Sequence, residues 1–420
     1  MRSRARLLFA SMARRDTVGL VLSGGGARGA YEAGVVSVLL PELERRGERP
    51  RVILGTSVGA INAAYLASCA HLDAETAVDG LLARWREIRT GLVVRPVISL
   101  QASLTALRYA GEVLGMPGVN LKGLLDPTPL GRTLDRWIDW EALHDNVEEG
   151  RLDAVGVVAT AAATATSVVF AEGRTHAEFY GSQDVEYLPT RLSSEHVRAS
   201  AAIPVLFPAI SVEQPESARG WYYDGGTRLN TPVKPVLDFG VDRVVISATH
   251  SVEPVEHAPW QDPKNAPDVA DGAVQLLLAT MADPLIYDVR MLGKINLIVG
   301  DEAGTEATRR NRERHGKAPY KRVPYILVTP PDRDSVGDAA ADVFHRRYQG
   351  LKGLRSPNVA LLGRLVGGVT EPHGELLSYF FFEHPYAEAL IEMGRADAER
   401  RLGREGELSG TGPPGASDGG

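Results

Sequence analysis

The apolar run Val52-Ile53-Leu54 leads directly into Gly55-Thr56-Ser57-Val58-Gly59, and the residues from Gly59 to Leu66 read as a helix leaving that turn. A buried strand, a tight turn and a helix in immediate succession leave the backbone few options. Glycines on both sides of the turn carry no Cβ, so the chain bends sharply and the helix packs closely on the strand. Ser57 is pushed to the tip of the turn, near helix N-terminal amides whose dipole favours negative charge. The spacing is that of a G-x-S-x-G nucleophile elbow. An ordinary strand-to-helix turn with a glycine-flanked serine has the same spelling, so the pentapeptide alone does not assign a role.

A second unit of the same kind stands just upstream. Thr17 to Ser23 reads as a buried strand, Gly24-Gly25-Gly26-Ala27-Arg28-Gly29 follows, and a helix runs from about Ala30 to Arg46. Two strand–helix units in succession predict a right-handed parallel crossover. The carboxyl ends of both strands, with the glycine loop and Ser57, then share one rim of the sheet.

The glycine loop has two readings. Gly24-x-Gly26-x-x-Gly29 matches the dinucleotide-binding spelling, which needs an acidic residue at the end of the second strand. That strand ends in Leu54-Gly55-Thr56-Ser57, and Glu44 and Glu48 fall before it, so the nucleotide reading lacks its partner. A phosphate loop fails because no Gly-Lys-Ser/Thr closes the motif. The other reading is an oxyanion hole, in which successive glycine amides converge and Arg28 adds positive charge. It uses the loop and Ser57 together.

A serine nucleophile needs a base. Of the ten histidines, His250, after a strand ending at Thr249, is the best placed, and most of the others lie in polar stretches. Asp224 has a sharper context: it ends the aromatic strand Trp221-Tyr222-Tyr223 and is followed by Gly225-Gly226. The glycines permit a tight turn that aims the carboxylate at the rim. Partial burial raises a carboxyl pKa from about 3.9 and makes it a better base. Asp-Gly-Gly is also the spelling of a plain turn.

Taken in order, Gly24 to Gly29, Gly55 to Gly59 and Asp224-Gly225-Gly226 resemble the patatin-like phospholipases. The segment from Ala199 to Pro208 is similar to the stretch that precedes the aspartate in that family. The resemblance covers roughly Thr17 to Thr249. It implies an α/β fold of three layers, with a mostly parallel central sheet flanked by helices. It also implies hydrolysis of lipid acyl esters by a Ser-Asp dyad without histidine. Carried over residue by residue, Ser57 is the nucleophile and Asp224 the base. Gly24, Gly25, Gly26 and Arg28 line the oxyanion hole, and Gly55, Gly59 and Gly225 shape the turns. No metal or cofactor is required. A lipid- or partner-binding scaffold with an idle dyad is the alternative.

The organisation expected is a basic tail over 1–16, an acyl hydrolase domain over 17–250, a mainly helical region with one strand over 251–404, and a disordered tail over 405–420. Val155 to Ala171, broken by threonines and rich in valine, reads as two strands and a turn rather than a membrane span. A mostly helical stretch runs from Asp73 to about Trp140. Within it, Val93 to Met116 is apolar and reads as buried helices or as a cover that opens towards lipid. Pro324 to Val328 supplies the C-terminal strand, and helices are expected over Asp268 to Val299, Ala339 to Leu351 and Pro385 to Leu402.

Composition narrows the class. A net charge of −7 argues against bulk nucleic-acid binding, and a single cysteine, Cys69, cannot form an intrachain disulfide. No transmembrane helix is legible. The arginines around Leu7-Leu8-Phe9 make a poor secretory signal and read as a disordered tail or as a weak attraction to anionic membrane. Arg309 to Arg322 is dense in cations and reads as a solvated loop or as a patch for anionic lipid headgroups. The location expected is cytoplasmic, peripheral to membrane at most.

Overall fold

In the computed structural model, residues 16–96, 123, 125–173, 185–252, 285–300, 302–315, 319–332, 334–348 and 371–404 are described. The arginines before Asp16, most of Val93 to Met116, the residues from Asp268 to Pro284 and the tail from Glu405 lie outside them.

The strands are β1 (Val18–Leu22), β2 (Pro50–Thr56), β3 (Arg95–Pro96), β4 (Leu125–Asp126), β5 (Ala154–Ala161), β6 (Ser167–Gly173), β7 (Val185–Pro189), β8 (Ile210–Val212), β9 (Gly220–Asp224), β10 (Arg243–Ser247) and β11 (Tyr325–Val328). The helices are α1 (Gly29–Arg45), α2 (Val58–Ser68), α3 (Ala74–Arg86), α4 (Thr90–Val93), α5 (Thr128–Trp137), α6 (Trp140–Glu148), α7 (Ser194–Ser200), α8 (Val233–Asp238), α9 (Leu285–Ile298), α10 (Glu302–Arg314), α11 (Ser335–Tyr348), α12 (Glu371–Phe380) and α13 (His384–Arg404).

Nine strands form one sheet, ordered β11-β10-β1-β2-β5-β6-β7, with β9 against β5 and β8 against β9. From β11 to β5 every pairing is parallel, as the two strand–helix units require. β1 is buried along its whole length, as a strand covered on both faces must be. Alternate residues feed two cores. Leu20, Leu22, Ile53, Val155 and Val157 face one cluster with α1, α2 and α13, and Val21, Leu54, Val158 and Ile246 face another with α8 and α9. Three layers result, helices on sheet on helices. The C-terminal region is largely helical, and its strand β11 extends the same sheet beside β10.

The register of β5 decides where the site lies. One edge of β5 pairs with β6 along its length. The other edge is shared: β2 runs parallel to it until Thr56 meets Val158, and β9 runs antiparallel from the far end until Asp224 meets Ala159. The two strands therefore stop head to head on adjacent residues of β5.

Side-chain caps mark the starts of three helices. The Asp73 side chain accepts from Thr76 N at the start of α3, and Asp139 does the same for Ala142 N at α6. Ser193 and His196 make a reciprocal capping box on α7. One expectation changes. Arg309 to Arg314, for which a solvated loop is one of the two readings above, lie on α10, where Glu306 pairs with Arg309 and Arg310 and Glu313 pairs with Arg309. Glutamates three and four positions from arginines stabilise a helix, and Glu306 falls just before the stretch judged from its cations. No described helix is long and apolar enough to cross a membrane.

Candidate active site

Ser57 stands between β2 and α2 with φ 53° and ψ −120°, a conformation an L-residue rarely adopts. Holding a serine there costs about 1–3 kcal/mol and requires support from its surroundings. The support is visible on both sides. A Cβ on Gly55 would lie 2.1 Å from the Gly59 carbonyl oxygen, and one on Gly59 would lie 2.3 Å from that of Leu22, so only glycine fits where β2, α2 and β1 converge. The Ser57 N–H donates to Ser200 Oγ at 2.9 Å, and Ser200 Oγ donates in turn to the Val158 carbonyl at 2.5 Å. α7 is thereby tied to the elbow and to β5.

The hydroxyl points at Asp224. Ser57 Oγ donates to Asp224 Oδ2 at 2.6 Å, and Asp224 Oδ1 accepts the Gly226 N–H at 2.7 Å. Both residues are buried, at 5% and 4% exposure. Burial pushes the Asp224 carboxyl from its ordinary 3.8 up to about 7, against the pull of the Ser57 and Gly226 hydrogen bonds. Gly225 is needed because a Cβ there would meet the Val158 carbonyl oxygen at 2.3 Å. Among the described residues no histidine bonds to Ser57. His250 is engaged by the Tyr379 hydroxyl and by Thr249 Oγ1.

The glycine loop borders the same point: a Cβ on Gly24 would come within 3.3 Å of the Ser57 Cβ. The Gly24 N–H donates to the Asn230 carbonyl at 3.1 Å, and Thr249 Oγ1 donates to the Gly24 carbonyl at 2.6 Å. The Arg28 N–H closes back onto the Gly25 carbonyl at 3.1 Å. Of the four residues assigned to the oxyanion hole, Gly25 and Gly26 keep amides without a protein partner among the described residues. The Arg28 side chain goes elsewhere, into contact with Glu375 and Ser378 on α12. Burial opposes its charge, but Glu375 and nearby tyrosines hold the guanidinium above its ordinary pKa.

An apolar cavity of about 40 Å³ adjoins Ser57 and Gly26, walled by Ile61, Trp85, Leu134, Trp137 and Phe380 among others. Trp85 and Trp137 meet edge to face at 6.3 Å, and the Trp85 Nε1–H is satisfied by Asn62 Oδ1 at 2.9 Å. The arrangement is therefore a hydroxyl bonded to a carboxylate of raised pKa, two open amides and an apolar recess. That set suits attack on a carbonyl attached to an apolar chain.

Sequence reasoning brought together the residues that meet here but missed several that hold them. Ser200 sits within the segment from Ala199 to Pro208 without a signal of its own. Asn230 and Thr249 follow a turn and a strand end, and Tyr379 lies far down the chain. Glu32 is wholly buried and accepts from Ser23 N at 2.7 Å and Asn62 Nδ2 at 3.0 Å, fixing the entry to the glycine loop.

No curated protein matches the chain. Among solved structures, VipD from Legionella pneumophila aligns over 93% of this chain and 67% of its own, at 13% identity and a TM-score of 0.34. Human GIVD cytosolic phospholipase A2, in complex with methyl gamma-linolenyl fluorophosphonate, aligns over 92% of this chain and 59% of its own, at 13% identity and a TM-score of 0.33. The type III effector protein ExoU aligns over 96% and 83%, at 16% identity and a TM-score of 0.23. The family model for patatin-like phospholipases matches residues 20–237, more than half of the 420 residues, and spans the glycine loop, Ser57 and Asp224. The chain belongs to the patatin-like phospholipase family.

Proposed function

We propose that this protein is a serine hydrolase of lipid acyl esters that works through Ser57 and Asp224. The observation that supports the reading most directly is the 2.6 Å hydrogen bond between Ser57 Oγ and Asp224 Oδ2 inside a buried site. Ser57 attacks the ester carbonyl as Asp224 takes its proton. A carboxylate with a pKa near neutrality suits this, because a base works best when its pKa lies near the working pH. The developing oxyanion is met by the amides of Gly25 and Gly26 and by the N-terminal end of α2. Protonated Asp224 then gives its proton to the leaving alcohol. Water activated by the same carboxylate releases the fatty acid and restores Ser57. The apolar recess beside Trp85 and Trp137, at about 40 Å³, receives the part of the acyl chain next to the ester carbonyl.

Contact with an anionic membrane surface through Arg309–Arg322 belongs to this reading. On α10, Arg309, Arg310, Arg312 and Arg314 outnumber Glu302, Glu306 and Glu313 by one, and the arginines gather in its last turns, where they would meet acidic headgroups.

The test is fatty-acid release from a panel of phospholipid vesicles and soluble short-chain esters. Wild type is compared with Ser57→Ala and Asp224→Asn. Both variants are expected to lose about 10⁴-fold in kcat, as removal of a nucleophile or its base does elsewhere. A fluorophosphonate is expected to label Ser57 in the wild type. A folded wild type that neither hydrolyses an ester nor takes up the probe would instead mark a binding scaffold with an idle dyad.

A further inference from the structure

Arg28 follows the glycine loop and is wholly buried; its Nη1 donates to the Thr249 carbonyl at 3.4 Å, and its other side-chain partners come from about 350 residues further along the chain. Its Nη2 pairs with the Glu375 carboxylate at 2.6 Å and also donates to the Glu375 carbonyl at 3.3 Å. Its Nε and Nη2 donate to Ser378 Oγ at 2.8 and 2.5 Å, and the guanidinium carbon lies 4.1 Å from the centre of the Tyr379 ring. The loop backbone touches the same helix: a Cβ on Gly26 would come within 2.2 Å of the Tyr379 carbonyl oxygen. Tyr379 and Phe380 then line the cavity that Ser57 and Gly26 border. α12 lies outside the residues the family model matches.

We propose that Glu375 and Ser378 are positioning residues for ester hydrolysis, holding the glycine-loop backbone through Arg28 so that the Gly25 and Gly26 amides meet the oxyanion. The proposal rests on the Ser57 reading given above. A buried ion pair is a poor way to gain stability, since an apolar pair of similar volume often does as well. What an arginine fork adds is direction, because its N–H groups are fixed in a plane and bind a carboxylate and a hydroxyl only in set orientations. Direction is what an oxyanion hole needs. Its donors must sit about 2.7–3.1 Å from an oxygen that forms only during the reaction. A displacement of about 1 Å costs on the order of 10²-fold in rate. Asn230 and Thr249 hold the loop at Gly24, and Arg28 ties its other end to α12.

The test uses the full-length chain and one soluble ester. Ser57→Ala is measured first; if it matches wild type, the Ser57 reading falls, and this proposal with it. With Ser57 dependence in hand, Glu375→Ala is expected to lose about 10²-fold in kcat. Ser378→Ala, which alters no charge, is expected to lose about tenfold, and Ser378→Thr to recover most of it by restoring the hydroxyl. KM should stay within about twofold throughout, and fluorophosphonate labelling of Ser57 should slow in parallel, since the tetrahedral adduct uses the same donors. The pH midpoint set by Asp224 should not move. Unchanged kcat in Ser378→Ala and Glu375→Ala overturns the proposal while leaving the Ser57 reading intact. So does a loss confined to KM. Full recovery of kcat in Arg28→Met/Glu375→Leu also overturns it, because the pair would then only neutralise a buried charge. If Glu375→Ala does not fold, Ser378→Ala and its threonine counterpart decide.

Discussion

Ser57 Oγ and Asp224 Oδ2 lie 2.6 Å apart although 167 positions separate them in the chain. The cause is the shared edge of β5, where Thr56 ends β2 opposite Val158 and Asp224 ends β9 opposite Ala159. A slip of one residue in either pairing would turn the side chains to the other face of the sheet. The register of β5 is thus as much part of the site as the two residues.

Activity is expected to rise with pH through a single midpoint near 7. In the mechanism proposed above, Asp224 must be ionised to accept the Ser57 proton, and burial pushes its pKa up to about 7. The measurement is kcat/KM on an uncharged soluble ester from pH 5 to 9. A midpoint near 4 would mean that water reaches the carboxylate freely.

The same shift makes a prediction for stability. Between the ordinary aspartate value of 3.8 and about 7, the folded state keeps the Asp224 proton that the unfolded chain has released. The folded state binds more protons in that window, so the Asp224 contribution to stability falls as pH rises through it and is level above. Asp224→Asn removes the contribution. It is expected to stabilise the protein by about 2–4 kcal/mol at pH 8 and by little at pH 4. Urea unfolding of wild type and variant at both values checks this, and an equal difference at the two pH values would contradict it.

Ser200→Ala should loosen the elbow. Without Ser200 Oγ the buried Ser57 N–H loses its acceptor, at a cost of about 1–3 kcal/mol. The urea midpoint is expected to fall with an unchanged slope, and kcat to fall about tenfold as Ser57 relaxes from its strained backbone. Ser200→Thr should retain much of both.

Two glycine substitutions separate strain from contact. Gly26 has φ +58° and a Cβ there would strike the Tyr379 carbonyl, whereas Gly47 has φ +74° with nothing within 4 Å. Gly47→Ala is expected to cost about 1 kcal/mol from backbone strain alone, with activity unchanged. Gly26→Ala should cost about 2–4 kcal/mol and reduce kcat about 10²-fold, because the loop must move off α12. Thermal melts and ester kinetics on the two proteins measure the difference.

The elements around Ser57 were readable because their causes are local. Val52-Ile53-Leu54 is apolar and Gly55 and Gly59 permit the turn, whatever the rest of the chain does. The same holds for Gly225 after Asp224, and for the strand at Tyr325–Val328. Arg309 to Arg314 were misread because the helix that carries them is stabilised by Glu306, outside the stretch considered. Arg28 was legible as a cation next to the glycine loop. That its charge is taken up by Glu375 and Ser378 was not, since nothing near Arg28 in the chain points to α12.

The sequence by itself thus determined the two strand–turn–helix units, the rim they share and the candidates on that rim, because short-range sterics and apolar patterning act within a few residues. Tertiary structure alone decided that Ser57 bonds to Asp224 rather than to His250, that burial pushes the Asp224 carboxyl up to about 7, and that α12 packs against Arg28 and the glycine loop. Those outcomes depend on strand register and on burial, and both arise only when distant segments pack against each other.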